Sequence, residues 1–196
     1  CGVPACVFED DFSYEAWVEY ILDVPMYFLH RGDSYIDVSG QSFRAFMDGK
    51  LTGFEGQLPS MEDFEDHITT AFPEVRLKGY IEMRGADSGS WGSICALPAL
   101  WVGLLYDEES LNAAEALVSG ISAQQVEAAR LSALTDGLNG QFASQPMLVI
   151  AREMVALSEA GLARRQITDS KGSDETQYLH PLQEILTTGN TNADIM

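Results

Sequence analysis

Cations are scarce in this chain. It carries 11 Lys and Arg against 30 Asp and Glu, a formal net charge of −19 over 196 residues. That balance argues against nucleic acid or an anionic membrane surface as a partner, because both repel an acidic protein. An acidic surface of this kind also suits a saline setting. Long apolar runs are missing too. No stretch reaches the ~20 residues that a spanning helix needs, and the longest candidate, 94–106, is interrupted by Pro98. Cysteine is limited to Cys1, Cys6 and Cys95, an odd number without regular spacing. That excludes a secreted disulfide framework and points to reduced thiols and a cytoplasmic setting. Neither the glycine pattern of a dinucleotide-binding fold nor a P-loop occurs. The chain begins CGVPACVFED and ends TGNTNADIM, with no initiator Met and no signal-peptide pattern. It is expected to be a piece of a longer protein.

What is present is the composition of a folded domain, with 46% hydrophobic residues. Residues 6–9 read as a short strand. Ser13 caps a helix over 14–23, with Tyr14, Trp17, Val18, Ile21 and Leu22 as its buried stripe. Residues 26–30 and 35–38 form a hairpin around Arg31 to Ser34. Short helices follow at 43–48, closed by Gly49, and at 61–71, opened by a capping box of Ser60 and Asp63. His67 lies on the apolar face of the second and reads as a core histidine. Beyond residue 92 the periodicity is almost wholly helical: 98–106, 107–118, 123–134, 147–163 and 178–187. Residues 168–175 read as a mobile polar linker, and the tail should fray. Strands come first and helices after, in blocks. That favours an α+β domain with an antiparallel sheet, sheet-bearing over about 1–92 and helical over about 93–188.

The stretch with most chemistry is PEVRLKGYIEMRGAD, residues 73–87. Residues 75–84 alternate as a strand does. Arg76, Lys78, Tyr80, Glu82 and Arg84 share one face. In a chain so poor in cations, three of them with a carboxylate and a phenol in one row suit a polyanion with a hard divalent ion. A solvent-facing strand with Glu82 paired to its neighbours is the other reading of the same pattern.

FPEVRLK, YIEMRGAD and CALPALWVGLLYD, with DVPMYFLHRGDSYIDVSGQSF upstream, resemble the plant and proteobacterial type of glutamate–cysteine ligase. The likeness is dense from about residue 7 to 106 and thin to about 191. It implies ATP-dependent joining of the glutamate γ-carboxylate to the cysteine amine through a γ-glutamyl phosphate, the first step of glutathione synthesis. It implies L-glutamate, L-cysteine and ATP as partners, Mg²⁺ as cofactor, and a glutamine-synthetase-like sheet. By the same resemblance, Glu82 is a metal ligand; Arg84, two positions on and on the same strand face, would clamp the transferring phosphoryl group, with Arg76 and Lys78 either supporting it or paired with surface acids. Tyr27 lines the substrate pocket, and Trp91, in the glycine-rich loop 85–92, shapes its wall. The fragment alone is expected to be inactive, since the remaining metal carboxylates and glutamate-binding arginines would lie upstream.

Departures from the resembling family stand at Gly79, Gly92 and Ser93, where it carries arginines, and at Val38 and Gly53, where plant members carry paired cysteines. They leave room for a sister γ-glutamyl ligase with another acceptor, as in ergothioneine synthesis, or for a non-catalytic paralogue.

Overall fold

Most helices begin where a hydroxyl or carboxylate just ahead of them takes up a free backbone amide. The computed structural model describes residues 2–77 and 79–195. They form two compact units, Cys1–Arg84 and Gly85–Met196.

In the first unit, Ser13 accepts the Ala16 amide at 3.2 Å and opens α1 (Tyr14–Asp23). Ser42 does the same for α2 (Phe43–Met47). Ser60 and Asp63 form the expected capping box on α3 (Met61–Thr69). Between α1 and α2, β1 (Phe28–Arg31) pairs antiparallel with β2 (Ser34–Asp37). Their two-residue turn needs a left-handed backbone, which Gly32 adopts at φ 59°. Leu22, Met26, Leu29, Phe43, Phe46 and Leu51 pack into one core. Val38 lies in that core as well, at 3% exposure. His67 is a core histidine as read: its Nε2 donates to the Ile21 carbonyl at 2.9 Å, and its ring stacks on Phe43 at 4.5 Å.

Three expectations for this unit need correction. Residues 6–9 are not a strand. Ala5–Phe8 is a single 3₁₀ turn closed by local bonds such as Val7 N to Pro4 O at 3.2 Å. The α1 stripe is shorter than its periodicity implies. Ile21 and Leu22 are buried, but Tyr14 is 78% and Val18 38% exposed, because only the C-terminal part of the helix reaches the core. Finally, 75–84 is not one strand. It folds back as β3 (Val75–Leu77) and β4 (Ile81–Met83), with Arg76 opposite Glu82. Each paired couple is both odd or both even in number, so the even-numbered residues of the two strands still share a face.

The second unit is mostly helical. α4 (Trp91–Leu105) starts earlier than 98, because Ser90 caps it by accepting from the Ser93 amide. Pro98 therefore sits inside the helix, at the loss of one ladder bond. α5 (Glu108–Val118) is capped by Asp107 and α6 (Ala123–Asp136) by Ser122 with Gln125. A short ladder of β5 (Gln141–Phe142) and β6 (Gln145–Pro146) leads into α7 (Met147–Arg165).

α4 and α7 cross at backbone contact. A Cβ on Gly103 would lie 2.2 Å from the Ser158 carbonyl oxygen, and one on Gly161 2.0 Å from that of Gly103. Ser158 Oγ donates to Leu100 O at 2.9 Å, and Leu162 and Leu179 fill the core alongside.

The linker expected to be mobile is a defined turn. Asp169 accepts the Lys171 and Ser173 amides at 2.8 and 3.0 Å, and Thr168 pairs with Asp174. After it, α8 (His180–Thr188) ends at Gly189, and the tail, instead of fraying throughout, carries α9 (Asn192–Ile195).

The architecture is therefore α+β, with three two-stranded antiparallel ladders among the described residues in place of one sheet. Among the same residues, no helix is long and apolar enough to cross a membrane.

Candidate functional site

Pro73 is fully buried where the chain leaves α3, and the β3–β4 hairpin begins directly after it. The ladder runs one step beyond β4, since the Arg84 amide donates to Glu74 O at 2.8 Å. Arg76, Glu82 and Arg84 consequently stand together on one face.

Glu82 Oε2 is the centre of the group. Arg76 Nε donates to it at 2.8 Å, Arg76 Nη2 lies 2.8 Å away, and Arg84 Nη1 donates at 3.1 Å. Arg76 is the most enclosed of the three at 13% side-chain exposure, and its Nη1 also reaches Thr69 O at 3.5 Å. Glu82 and Arg84 are 26% and 30% exposed. The solvent-strand reading had Glu82 paired to its neighbours, and it is so paired. The functional reading needed Glu82 and Arg84 on one face, and they are. Lys78 lies outside the described residues.

Arg84 extends the group towards Tyr27. Its guanidinium lies over the Phe72 ring, 5.3 Å from the centroid, and the Phe72 and Tyr27 rings meet in an edge-type contact with centroids 6.3 Å apart. Tyr27 is 51% exposed. Its backbone is held at the base of the first hairpin, where its carbonyl accepts the Val38 amide at 3.0 Å and the Ser39 hydroxyl at 3.2 Å. Tyr27 and Phe72 line an open cleft of about 510 Å³, with Tyr20, Asp23, Met26 and Thr70 among its other walls. Burial pushes the Tyr20 phenol above its ordinary pKa. The Asp23 carboxylate accepts from Arg44 Nε at 2.6 Å, which holds its pKa below the ordinary carboxylate value. Cys6 and Cys95 are both free thiols.

Trp91 belongs to the second unit. It is the first residue of α4, not part of the glycine-rich loop as expected, and is 78% exposed.

This arrangement can bind an anion through guanidinium N–H groups beside an aromatic-walled cleft, and Glu82 can offer one carboxylate to a hard cation. Among the described residues, no cluster of three or more His, Cys, Asp or Glu could hold a metal ion. The one carboxylate in the arginine group is Glu82, and one of its oxygens already accepts from both arginines. These three residues do not form a metal centre by themselves.

Sequence reasoning missed Phe72, Tyr20 and Asp23. The signal for Phe72 was an aromatic residue wedged between a helix end and the Pro73 that opens the charged hairpin. For Tyr20 and Asp23 there was none, because cleft walls are assembled from α1, the segment leading into β1 and the segment that follows α3 only on folding.

Comparison with known proteins gives the family. The model of Glutamate-cysteine ligase family 2 matches residues 1–196. The chain is 46% identical over 193 residues to the chloroplastic glutamate–cysteine ligase of Nicotiana tabacum, covering 98% of this chain and 36% of that protein. It is 46% identical to glutamate–cysteine ligase A, chloroplastic, of Oryza sativa subsp. indica, covering 98% and 38%. With the chloroplastic enzyme of Arabidopsis thaliana the identity is 45%, covering 98% and 36%. The chain thus spans 36–38% of the length of these relatives. On the family match over the whole chain, with these identities, the chain belongs to glutamate–cysteine ligase family 2.

Proposed function

We propose that this chain is part of an ATP- and Mg²⁺-dependent glutamate–cysteine ligase. In this reading the γ-phosphoryl group of ATP passes to the glutamate γ-carboxylate. The cysteine amine then attacks the acyl phosphate, forming the amide and releasing phosphate. The observation that carries the proposal is the shared face of Arg76, Glu82 and Arg84, in a chain 46% identical to a named glutamate–cysteine ligase.

Each residue has a part. Arg84 offers its fork to the transferring phosphoryl oxygens, where developing charge is best stabilised by preset donors. Arg76 orients Glu82 and adds positive potential, and Lys78 supplies a further cation. Glu82 would offer one carboxylate to Mg²⁺, an ion that takes few ligands from any one segment. Bound Mg²⁺ would neutralise phosphate charge. Tyr27 presents its phenol to the substrate at the cleft. No protein nucleophile is needed, so the chemistry asks for charge, position and exclusion of water. The two ladders of the first unit would be parts of a glutamine-synthetase-like sheet completed by the rest of the protein. A reducing, cytoplasmic compartment suits the free thiols.

The test is made on the full-length protein. It should form γ-glutamylcysteine and release phosphate only when ATP, glutamate, cysteine and Mg²⁺ are all present. Glu82→Gln should abolish Mg²⁺-dependent ATP binding in calorimetric titration. The isolated 196-residue chain should release no phosphate. Unaltered turnover in the Glu82→Gln protein would overturn the assignment.

A further inference from the structure

Phe72 has no part in that scheme, yet it touches both halves of the site. Its backbone is pinned between two buried neighbours, Ala71 at 2% exposure and the fully buried Pro73, while its own side chain is 44% exposed. One face of the ring carries the Arg84 guanidinium at 5.3 Å, and the ring meets that of Tyr27 with centroids 6.3 Å apart, the two inclined at 66°. Arg84 is thus constrained twice. Glu82 holds Nη1 at 3.1 Å, and the ring faces the guanidinium itself. An arginine on a long flexible stem normally loses rotamer freedom when an anion binds; one already held loses less. The ring attracts the cation without neutralising it, unlike a second carboxylate, so the positive charge stays available to a ligand.

We propose that Phe72 is a positioning residue for Arg84. Its ring sets the guanidinium at the rim of the Tyr27 cleft, so that a phosphate-bearing small molecule seated there meets a preset anion-binding group. The proposal rests on the ligase reading for the identity of that ligand, but not for the contact. Phe72 acts through Arg84 and does not itself contact the reacting atoms.

The test uses the full-length protein with Phe72→Leu, Phe72→Tyr and Arg84→Gln, and with Phe72→Leu combined with Arg84→Gln. In the unaltered protein the Arg84 Nε–H signal in NMR should be displaced by the ring current of Phe72. Phe72→Leu should remove the displacement and Phe72→Tyr keep it. In calorimetric titration with ATP–Mg²⁺, Phe72→Leu should weaken binding about two- to fivefold, the scale of a partly exposed cation–π contact. Phe72→Tyr should restore it, and Phe72→Leu should add nothing in the Arg84→Gln background. An undisplaced Arg84 signal overturns the proposal. So does an equal loss from Phe72→Leu with and without Arg84, since that is a cleft-packing effect. Failure of the ligase reading looks different: the unaltered protein makes no γ-glutamylcysteine, while the NMR displacement and the non-additivity in ATP–Mg²⁺ binding still decide the role of Phe72.

Discussion

Arg76 and Glu82 face each other across the β3–β4 ladder, and the guanidinium closes on one carboxylate oxygen with both Nε and Nη2 at 2.8 Å. The pair does two things at once. It ties the two short strands together, and it aims the Glu82 carboxylate beside Arg84. Arg76→Met should therefore cost stability as well as binding. A charge-assisted bond at a half-buried site is worth about 1–2 kcal/mol, and urea unfolding of the chain should show a loss of that size. Stability equal to the unaltered chain would mean that the pair is ornamental.

His67 predicts a pH dependence. Burial lowers its pKa below the ordinary 6.5, and the bond to the Ile21 carbonyl offsets this only in part. The unfolded chain takes up a proton as pH falls through that ordinary value, while the folded chain resists until lower pH. The stabilising contribution is therefore complete above 6.5 and is lost progressively below it, towards the lower folded pKa. Thermal unfolding midpoints should be level above about pH 7 and fall from about pH 6.5 downwards. His67→Gln should flatten that fall.

Asp63 has the same sign in a separate window. Burial raises its pKa, but the bonds from Arg31 and Ser60 lower it further, so the net value lies below the ordinary 3.8. Its contribution is present above 3.8 and lost below it.

The α4–α7 crossing predicts where added volume is not tolerated. Gly103→Ala would place a methyl group 2.2 Å from the Ser158 carbonyl oxygen, and Gly161→Ala one 2.0 Å from that of Gly103. The helices must move apart, at a cost of about 1–3 kcal/mol or more for each substitution. Ser158→Ala, which removes the donor to Leu100 O at 2.9 Å, should cost about 1 kcal/mol. Chemical denaturation of the three variants would rank them. Either glycine substitution leaving the protein as stable as the original would contradict the crossing.

The positions at which the resembling family carries arginines divide by local geometry. A Cβ at Gly79 would meet no described atom within 4 Å, whereas a Cβ at Gly92 would lie 3.1 Å from Pro181 Cγ. Gly79→Arg should leave the unfolding midpoint unchanged and, on the proposed ligase reading, tighten ATP–Mg²⁺ binding in a salt-sensitive way, since the attraction of an added cation for phosphate is screened. Gly92→Arg should lower the midpoint unless Pro181 shifts. Comparing both variants in low and high salt checks the contrast.

Much of the fold was legible because its signals are local. Ser13, Ser42, Ser60, Asp107 and Ser122 each open a helix where their side chains take up a backbone amide. The errors came where a local pattern competes with a distant partner. Pro98 looked like a helix start, yet Ser90 begins α4 earlier and packing on α7 carries the helix through the proline. Residues 168–175 looked mobile by composition, but Asp169 folds them into a turn.

By itself the sequence determined the helix starts that a side-chain cap marks at Ser13, Ser42, Ser60, Asp107 and Ser122, the balance of helix and strand, and the common face of Arg76, Glu82 and Arg84. Side-chain alternation is a property of extended backbone and passes through a turn that pairs odd with odd and even with even. Only the tertiary structure decided that this run folds back between Leu77 and Ile81, that one oxygen of Glu82 joins both arginines, and that Phe72 links Arg84 to Tyr27. Those relations join residues brought together by chain reversal and by packing around the core of the first unit, and no spacing along the chain encodes them.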